Sequence, residues 1–145
     1  MPNGSRVAAP AAATALVALV ALVALAALAA PVAAQTRWKE LGRTGDGNAV
    51  LVDQRTLKHA GDSVRATLRV QFLKPKKMPG GDVTSSRTAL TFDCPGKRVA
   101  IRENTYFFDE KANRVFQHVQ PKVPGFSPVI GGSMTAVAYD ALCHK

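Results

Sequence analysis

The sequence contains few of the residues that usually carry catalysis or bind metals. It has two cysteines, three histidines and one tryptophan among 145 residues, and 10 acidic residues against 19 lysines and arginines. His59, His118 and His144 lie far apart and lack the spacing of metal ligands. The adjacent carboxylates Asp109 and Glu110 fall in a polar segment and are interpreted as a solvated turn. Without a catalytic motif of serine hydrolases, zinc proteases or phosphate-binding loops, we predict that the chain is not an enzyme and uses no metal or cofactor.

The one long apolar run lies at the N-terminus. Ala11 to Ala30 holds Ala, Leu and Val with a single Thr; Arg6 precedes the run, and Pro31 and the small residues 32–34 follow it. This pattern is typical of a secretory signal peptide, here residues 1–34. An uncleaved membrane anchor is the alternative, because about 20 apolar residues can span a bilayer. The proline and the Val-x-Ala site favour cleavage, after which we expect no stable membrane span.

Export sets the expected compartment and the chemistry of the cysteines. No cysteine adjoins the cleavage site, which argues against a lipid anchor, so we predict a periplasmic, secreted or cell-surface protein. In such an oxidising compartment Cys94 and Cys143 are expected to form a disulfide, the one intramolecular pairing that two cysteines permit. A redox or catalytic thiol is the competing reading, but there is no Cys-x-x-Cys motif, and the one adjacent histidine, His144, is a poor candidate for a base.

Alternating polarity from Ser63 to Lys74 predicts a long strand with one buried and one solvated face. Together with the turn signals along the chain, it predicts an α+β fold for a single domain at residues 35–145. The fold is a small antiparallel meander of about six strands, with a C-terminal helix packed on one face and one disulfide. The expected strands cover residues 37–44, 49–53, 63–74, 83–94, 97–108 and 114–119. Segments 76–82 and 120–132, rich in proline and glycine, are expected to be irregular connections.

The same periodicity predicts which side chains form the core. Val99 and Ile101 are expected to point inward, with a β-bulge near Asn104 because alternation fails beyond Ile101. Ser133 is expected to cap a helix whose apolar stripe faces the sheet. That stripe consists of Met134, Val137, Ala138, Ala141 and Leu142. On the central strands the expected buried residues are Leu68, Val70, Phe72, Leu90 and Phe92, and the expected exposed ones are Arg65, Arg69 and Arg87.

The order of short motifs resembles that of a known family. Those motifs are Trp38, Gly45-Asp46-Gly47, Val50-Leu51-Val52-Asp53, Arg55-Thr56-Leu57-Lys58, Gly61-Asp62, the long alternating strand, Asp93-Cys94 and a helix ending in Cys143. From about Arg37 to Cys143 the chain is similar to the surface-adhesin protein E-like family. The resemblance implies a compact antiparallel sheet with a C-terminal helix, a disulfide between Cys94 and Cys143, and homodimer formation. For the namesake adhesin it also implies binding of host extracellular-matrix and serum proteins.

An excess of positive charge is the feature with a functional interpretation. If the strands are neighbours, one sheet face carries a row of arginines that lysines extend at one edge. The residues of this expected basic face are Arg65, Arg69, Arg87, Arg98, Arg102, Lys74, Lys76 and Lys77. Such a surface attracts polyanions: acidic polysaccharides, acidic host proteins, lipopolysaccharide phosphates or anionic lipid headgroups. Nucleic acid is not an expected partner of an exported chain without interleaved aromatics.

Two functions remain open from the sequence. In the first, the chain is an exported, adhesin-like binding module that contacts acidic host or envelope ligands through the basic face. In the second, it is a periplasmic structural or accessory protein of the cell envelope with no host ligand. In that second case the basic face is solvated and serves solubility.

Overall fold

The computed structural model describes residues 36–144 together with the isolated Gly4. The signal peptide expected at residues 1–34 therefore lies outside the described residues. The described part contains eight strands and one helix. These elements are β1 (Trp38–Arg43), β2 (Ala49–Asp53), β3 (Lys58–Ala60), β4 (Ser63–Met78), β5 (Gly81–Asp93), β6 (Arg98–Asp109), β7 (Arg114–Val119), β8 (Phe126–Pro128) and α1 (Met134–Cys143).

The strands form one antiparallel sheet in the order β1-β2-β4-β5-β6-β7. The short strand β3 folds back on the start of β4, and β8 pairs with the start of β6. Neighbours in the sheet are thus mostly neighbours in sequence, as hairpin connections require. The predicted meander and its C-terminal helix are confirmed, with two short strands beyond the expected six.

The core lies between α1 and the inner face of the sheet. The alternation of β4 places Val64, Ala66, Leu68 and Val70 on this face, where all four are buried. The register continues the apolar surface across the sheet, because Val70 pairs with Val50 on β2. The helix packs over β1, β2 and β4 and contributes Ala138, Tyr139 and Leu142 to the core, whereas Ala141 of the predicted stripe is exposed.

Both ends of the helix are fixed as the sequence predicts. Ser133 is the N-cap, and its hydroxyl accepts a hydrogen bond from the backbone N–H of Ala136 at 3.2 Å. At the other end Cys143 forms the disulfide with Cys94, with Cα atoms 5.5 Å apart. Tyr139 supports this junction, because its hydroxyl donates to the Cys94 carbonyl at 2.5 Å. Helix and sheet are therefore joined covalently and by a hydrogen bond at the same strand end.

The two segments expected to be irregular contain regular structure. Residues 76–82 were expected to be a connection, but β4 continues to Met78 and β5 starts at Gly81, leaving a tight turn at Pro79-Gly80. Gly80 has φ +102°, which an L side chain rarely adopts, so glycine suits this turn. Residues 120–132 contain β8, which pairs in register with β6 despite its flanking prolines. Pro128 is tolerated because β8 is a short edge strand.

Besides Ala141, two predictions about the core are wrong. Phe72 is only half-buried, because β4 and β5 leave register between Gln71 and Lys76, around Pro75, which has no N–H to donate to the ladder. Ile101 is exposed, although it lies opposite buried Leu90. The bulge expected near Asn104 is two residues earlier: the register passes from Leu90–Ile101 to Ala89–Glu103 and leaves Arg102 unpaired. The buried positions Leu68, Val70, Leu90 and Phe92 are confirmed.

We predict that the disulfide is a major part of the stability. It joins residues 49 positions apart, which corresponds to roughly 4 kcal/mol by loop-closure entropy. Cys143→Ser should therefore lower Tm by roughly 15 °C, and Cys94→Ser should do the same. Thermal unfolding followed by circular dichroism measures both. Titration of two free thiols in the native wild-type protein would contradict this prediction.

The half-burial of Phe72 gives a second prediction. Phe92 is fully buried and packs edge-to-face on Tyr139 with ring centroids 6.0 Å apart, so Phe92→Ala should cost about 3–5 kcal/mol of unfolding free energy. Phe72→Ala should cost clearly less because its ring is already half in water. Urea unfolding of both variants tests the comparison, and equal losses would contradict the observed burial.

Candidate functional site

The outer face of the sheet, opposite α1, carries like charges directly across from each other at two places. Lys58 of β3 lies opposite Arg65 of β4, and Arg69 of β4 lies opposite Arg87 of β5. Like charges in such cross-strand positions repel and cost stability unless something offsets them. The two pairs differ in whether a carboxylate lies beside them.

The Lys58–Arg65 pair forms part of an open cleft of about 310 Å³, the basic pocket. Its lining residues are Arg55, Thr56, Lys58, Arg65, Ala66, Thr67, Ala89, Leu90 and Arg102. Four of these nine are cationic and none is acidic. Arg102 reaches the cleft because it is the bulged residue of β6. Within residues 36–144 this pocket therefore concentrates positive charge without a counter-charge in its lining.

A tight turn after β2 positions the rim of the basic pocket. The backbone N–H of Arg55 donates to the Asp53 carboxylate at 3.1 Å, and that of Thr56 donates to the Asp53 carbonyl at 3.0 Å. The Thr56 hydroxyl then accepts from the N–H of Thr67 on β4 at 2.8 Å. Asp53 and Thr56 thus hold the Arg55 turn against the sheet, in the way that Asp and Thr side chains commonly fix turns.

Asp53 itself is buried and bonded to Arg37. Its carboxylate accepts from Arg37 Nε at 2.8 Å, and Arg37 Nη2 lies 2.7 Å from the same oxygen. Burial acts to raise the pKa of Asp53, but the hydrogen bonds from Arg37 and the Arg55 N–H, with the nearby positive charges, outweigh it. The net effect holds the pKa of Asp53 below its ordinary value, so the carboxylate stays ionised at neutral pH.

The Arg69–Arg87 pair is partly compensated by a carboxylate from a distant loop. Glu110, in the connection between β6 and β7, places Oε2 at 2.6 Å from Arg69 Nε and Oε1 against Arg87 Nε. The Ser85 hydroxyl donates to Oε2 at 3.0 Å. Both guanidinium groups also lie near the Trp38 ring, at 5.7 and 5.8 Å from its centroid, which is within cation–π range. We call these five residues the Glu110 cluster.

The residues expected to form one basic face are therefore divided. Arg65 and Arg102 meet in the basic pocket. Arg69 and Arg87 lie together but are partly buried and paired with Glu110, so the expectation that both are exposed is wrong. Glu110, interpreted from the sequence as part of a solvated turn, has a side chain only 6% exposed.

The remaining expected residues lie apart from the pocket. Arg98 donates to the Asp93 carboxylate at 2.6 and 3.0 Å; that hydrogen bond is the main reason why the pKa of Asp93 is lowered. Lys74, Lys76 and Lys77 are exposed at the far end of β4, where Lys77 lies opposite Asp82.

Sequence reasoning missed two of the cationic residues in the pocket, Arg55 and Lys58. Lys58 was missed because β3 is only three residues long, although the turn at Gly61-Asp62 is a hairpin signal between it and β4. Arg55 lies in a turn, where no periodicity indicates the direction of a side chain.

The described residues offer no alternative centre for metal chemistry. Between residues 36 and 144, no three His, Cys, Asp or Glu side chains come together as a metal site requires. In the same part of the chain, no helix is both long and apolar enough to cross a membrane.

A family model described as surface-adhesin protein E matches residues 38–144, which includes every strand and the helix. The chain belongs to the surface-adhesin protein E family. The resemblance noted from the sequence is thereby confirmed, and membership makes this an adhesin-like protein of an exported, cell-surface family. Among curated proteins, no sequence relative matched.

Solved structures similar to this member of the surface-adhesin protein E family come from Haemophilus influenzae. Crystal form II of its protein E aligns with a TM-score of 0.51 at 13% identity, covering 80% of this chain and 94% of that chain. Protein E from the non-typeable bacterium aligns with a TM-score of 0.49 at 13% identity, covering 80% of this chain and 81% of that one. The first likeness shows the shared fold. At 13% identity this likeness does not extend to the side chains of the outer face, which are described from this chain alone.

The lowered pKa of Asp53 gives a pH-dependent prediction. A carboxyl whose folded pKa is depressed stabilises the fold above its unfolded pKa, near 4, and loses that contribution as pH falls through the folded pKa. Asp53→Asn should lower stability at pH 7 by about 1–3 kcal/mol and flatten the loss of stability below about pH 5.

Urea unfolding between pH 7 and pH 2 measures both effects. Asp46→Asn, at an exposed turn position, is the matched control and should leave the profile unchanged. A profile of Asp53→Asn that stays as steep as the wild type would contradict the assigned role of Asp53.

Proposed function

We propose that this protein is an exported, adhesin-like binding module that binds acidic polysaccharide in the basic pocket. The observation that carries the proposal is the uncompensated Lys58–Arg65 pair, with Arg55 and Arg102 beside it and no acid in the lining. Glu110 partly balances the charge of the neighbouring Arg69–Arg87 pair, whereas the Lys58–Arg65 pair has no such acid in the lining of its pocket. An anionic ligand would relieve the repulsion that the pocket otherwise bears.

The chemistry of the pocket favours a ligand with several separate anionic groups. Three arginines offer planar forks that match sulfate and carboxylate oxygens, and Lys58 adds a mobile point charge. All four side chains belong to exposed residues, so each contact acts through water and contributes only about 0.2–1 kcal/mol. Useful affinity therefore requires several contacts at once, which a polymer with regularly spaced charges provides.

The formal charge of the chain supports the same ligand class. Residues 35–145 carry +8 of the formal charge of +9, so the exported protein attracts polyanions over a distance before contact, and the pocket then decides where they bind. In the host setting that the family name suggests, acidic polysaccharides and acidic matrix or serum proteins are the partners with such charge. We commit to the polysaccharide because the pocket is open and four of its nine lining residues are cationic, which suits a polymer with repeated anionic groups.

The proposal predicts that heparin affinity depends more on the positions of the positive charges than on the net charge of the protein. The triple variant Lys58→Ala/Arg65→Ala/Arg102→Ala should bind heparin roughly 3- to 150-fold more weakly than wild type, because about three contacts of 0.2–1 kcal/mol are lost. Arg65→Ala alone should have a modest effect. Heparin affinity measured by calorimetry between 50 and 300 mM salt should also fall less steeply for the triple variant.

The lysines at the far end of β4 provide a matched control. The control variant is Lys74→Ala/Lys76→Ala/Lys77→Ala. It removes an equal number of positive charges, three, from exposed positions outside the basic pocket and should retain most of the affinity for heparin. If both triple variants are folded and lose affinity equally, binding depends on net charge and the pocket has no special role. If a folded pocket variant keeps wild-type affinity, the envelope-structural function is favoured instead.

A further inference from the structure

The Glu110 side chain is held the way a bound ligand is held. Its carboxylate is almost fully buried and contacts three groups of other elements: Arg69 on β4, and Arg87 and Ser85 on β5. The Trp38 ring borders the two guanidinium groups. Two arginines, a hydroxyl and an aromatic wall are the parts from which proteins build sites for carboxylates.

The fit of Glu110 in this site is incomplete. Arg69 Nε is buried and lies 2.6 Å from Glu110 Oε2, yet its N–H is not directed at that oxygen and has no hydrogen-bond acceptor. Because Glu110 is tethered to its loop, its carboxylate cannot turn freely to align with both arginines. A free carboxylate does not have this restriction and can align with both forks.

The loop that carries Glu110 is otherwise bonded to itself. The backbone N–H groups of Lys111 and Ala112 donate to Asp109, and that of Asn113 donates to the Glu110 carbonyl. Because these bonds lie within residues 109–113, a movement of the loop as a unit would not break them. The Glu110 carboxylate is therefore the principal polar contact by which residues 110–113 are held to the outer face.

We propose that Arg69, Arg87, Ser85 and Trp38 form a carboxylate-binding site that Glu110 fills as an internal ligand. A carboxylate group of a bound acidic polysaccharide can replace Glu110, and this second part rests on the proposed function of the basic pocket. Arg65 and Arg69 lie on the same face of β4, four residues or roughly 13 Å apart, so one extended chain can reach both. Displacement of Glu110 would extend the binding surface from the pocket along the sheet.

The site itself is tested without any polysaccharide. Glu110→Ala removes the internal carboxylate, and acetate should occupy the vacant position. The Tm of Glu110→Ala should rise by roughly 5 °C when acetate replaces chloride at equal ionic strength. The acetate concentration is set at about ten times its Kd. Glu103→Ala is the matched control, because Glu103 is a half-exposed carboxylate of the same sheet face. Wild type and the control should not respond; equal responses of all three proteins would overturn the site.

The replacement of Glu110 is tested by a second variant that keeps its shape. Glu110→Gln should bind polygalacturonate, whose anionic groups are carboxylates, at least threefold more tightly than wild type because the competing charge is gone. Glu103→Gln loses the same charge and should change the affinity less. An equal gain for both variants overturns the competition and leaves only a net-charge effect. If neither heparin nor polygalacturonate binds any of the proteins, the proposed function fails, while the acetate experiment still decides whether the site exists. Binding of heparin without polygalacturonate overturns the replacement of Glu110 by a polysaccharide carboxylate.

Discussion

Repulsion between like charges on one face of an antiparallel sheet is the constraint around which the outer surface of this protein is organised. The register of β4 places Arg65 opposite Lys58 and Arg69 opposite Arg87. Each such pair costs a few tenths to about 1 kcal/mol if nothing offsets it. Glu110 offsets one pair and Asp53 binds the neighbouring Arg37, whereas the pocket around Arg65 receives no acid from its lining. The positive charge of the outer face is thus partly balanced in one part and unbalanced in the adjacent part.

Packing on the inner face of the sheet stabilises the fold enough to offset the repulsion between cations on the outer face. The apolar residues of β2, β4 and β5 pack against α1, and the Cys94–Cys143 disulfide joins the helix to the sheet at the end of β5. Loss of one buried aromatic ring costs about 3–5 kcal/mol, several times the repulsion of one exposed cation pair. The fold can therefore carry an uncompensated cluster on one face of the sheet, because its stability comes from the other face.

The features that depend on local sequence are those that could be predicted from it. Alternation fixed the inner face of β4, the pairing of the cysteines had one solution, and Ser133 marked the start of the helix. Contacts between distant residues could not be predicted in this way. Glu110 lies 41 positions from Arg69 in the sequence, and a polar loop gives no signal that its carboxylate will be buried. Of the wrong core assignments, Phe72 and Ile101 both lie beside bulges, where the two-residue period breaks.

Membership of the surface-adhesin protein E family explains the scaffold but leaves the site to the side chains of this chain. At 13% identity to Haemophilus influenzae protein E, the likeness shows a shared fold and not a shared set of outer-face side chains. In this chain the two parts of the outer face differ in whether their cations receive an internal acid. Two acids, Asp53 and Glu110, pair with outer-face arginines. Among the pocket residues no third acid lies beside Arg65, so the charge of the outer face is left unbalanced there.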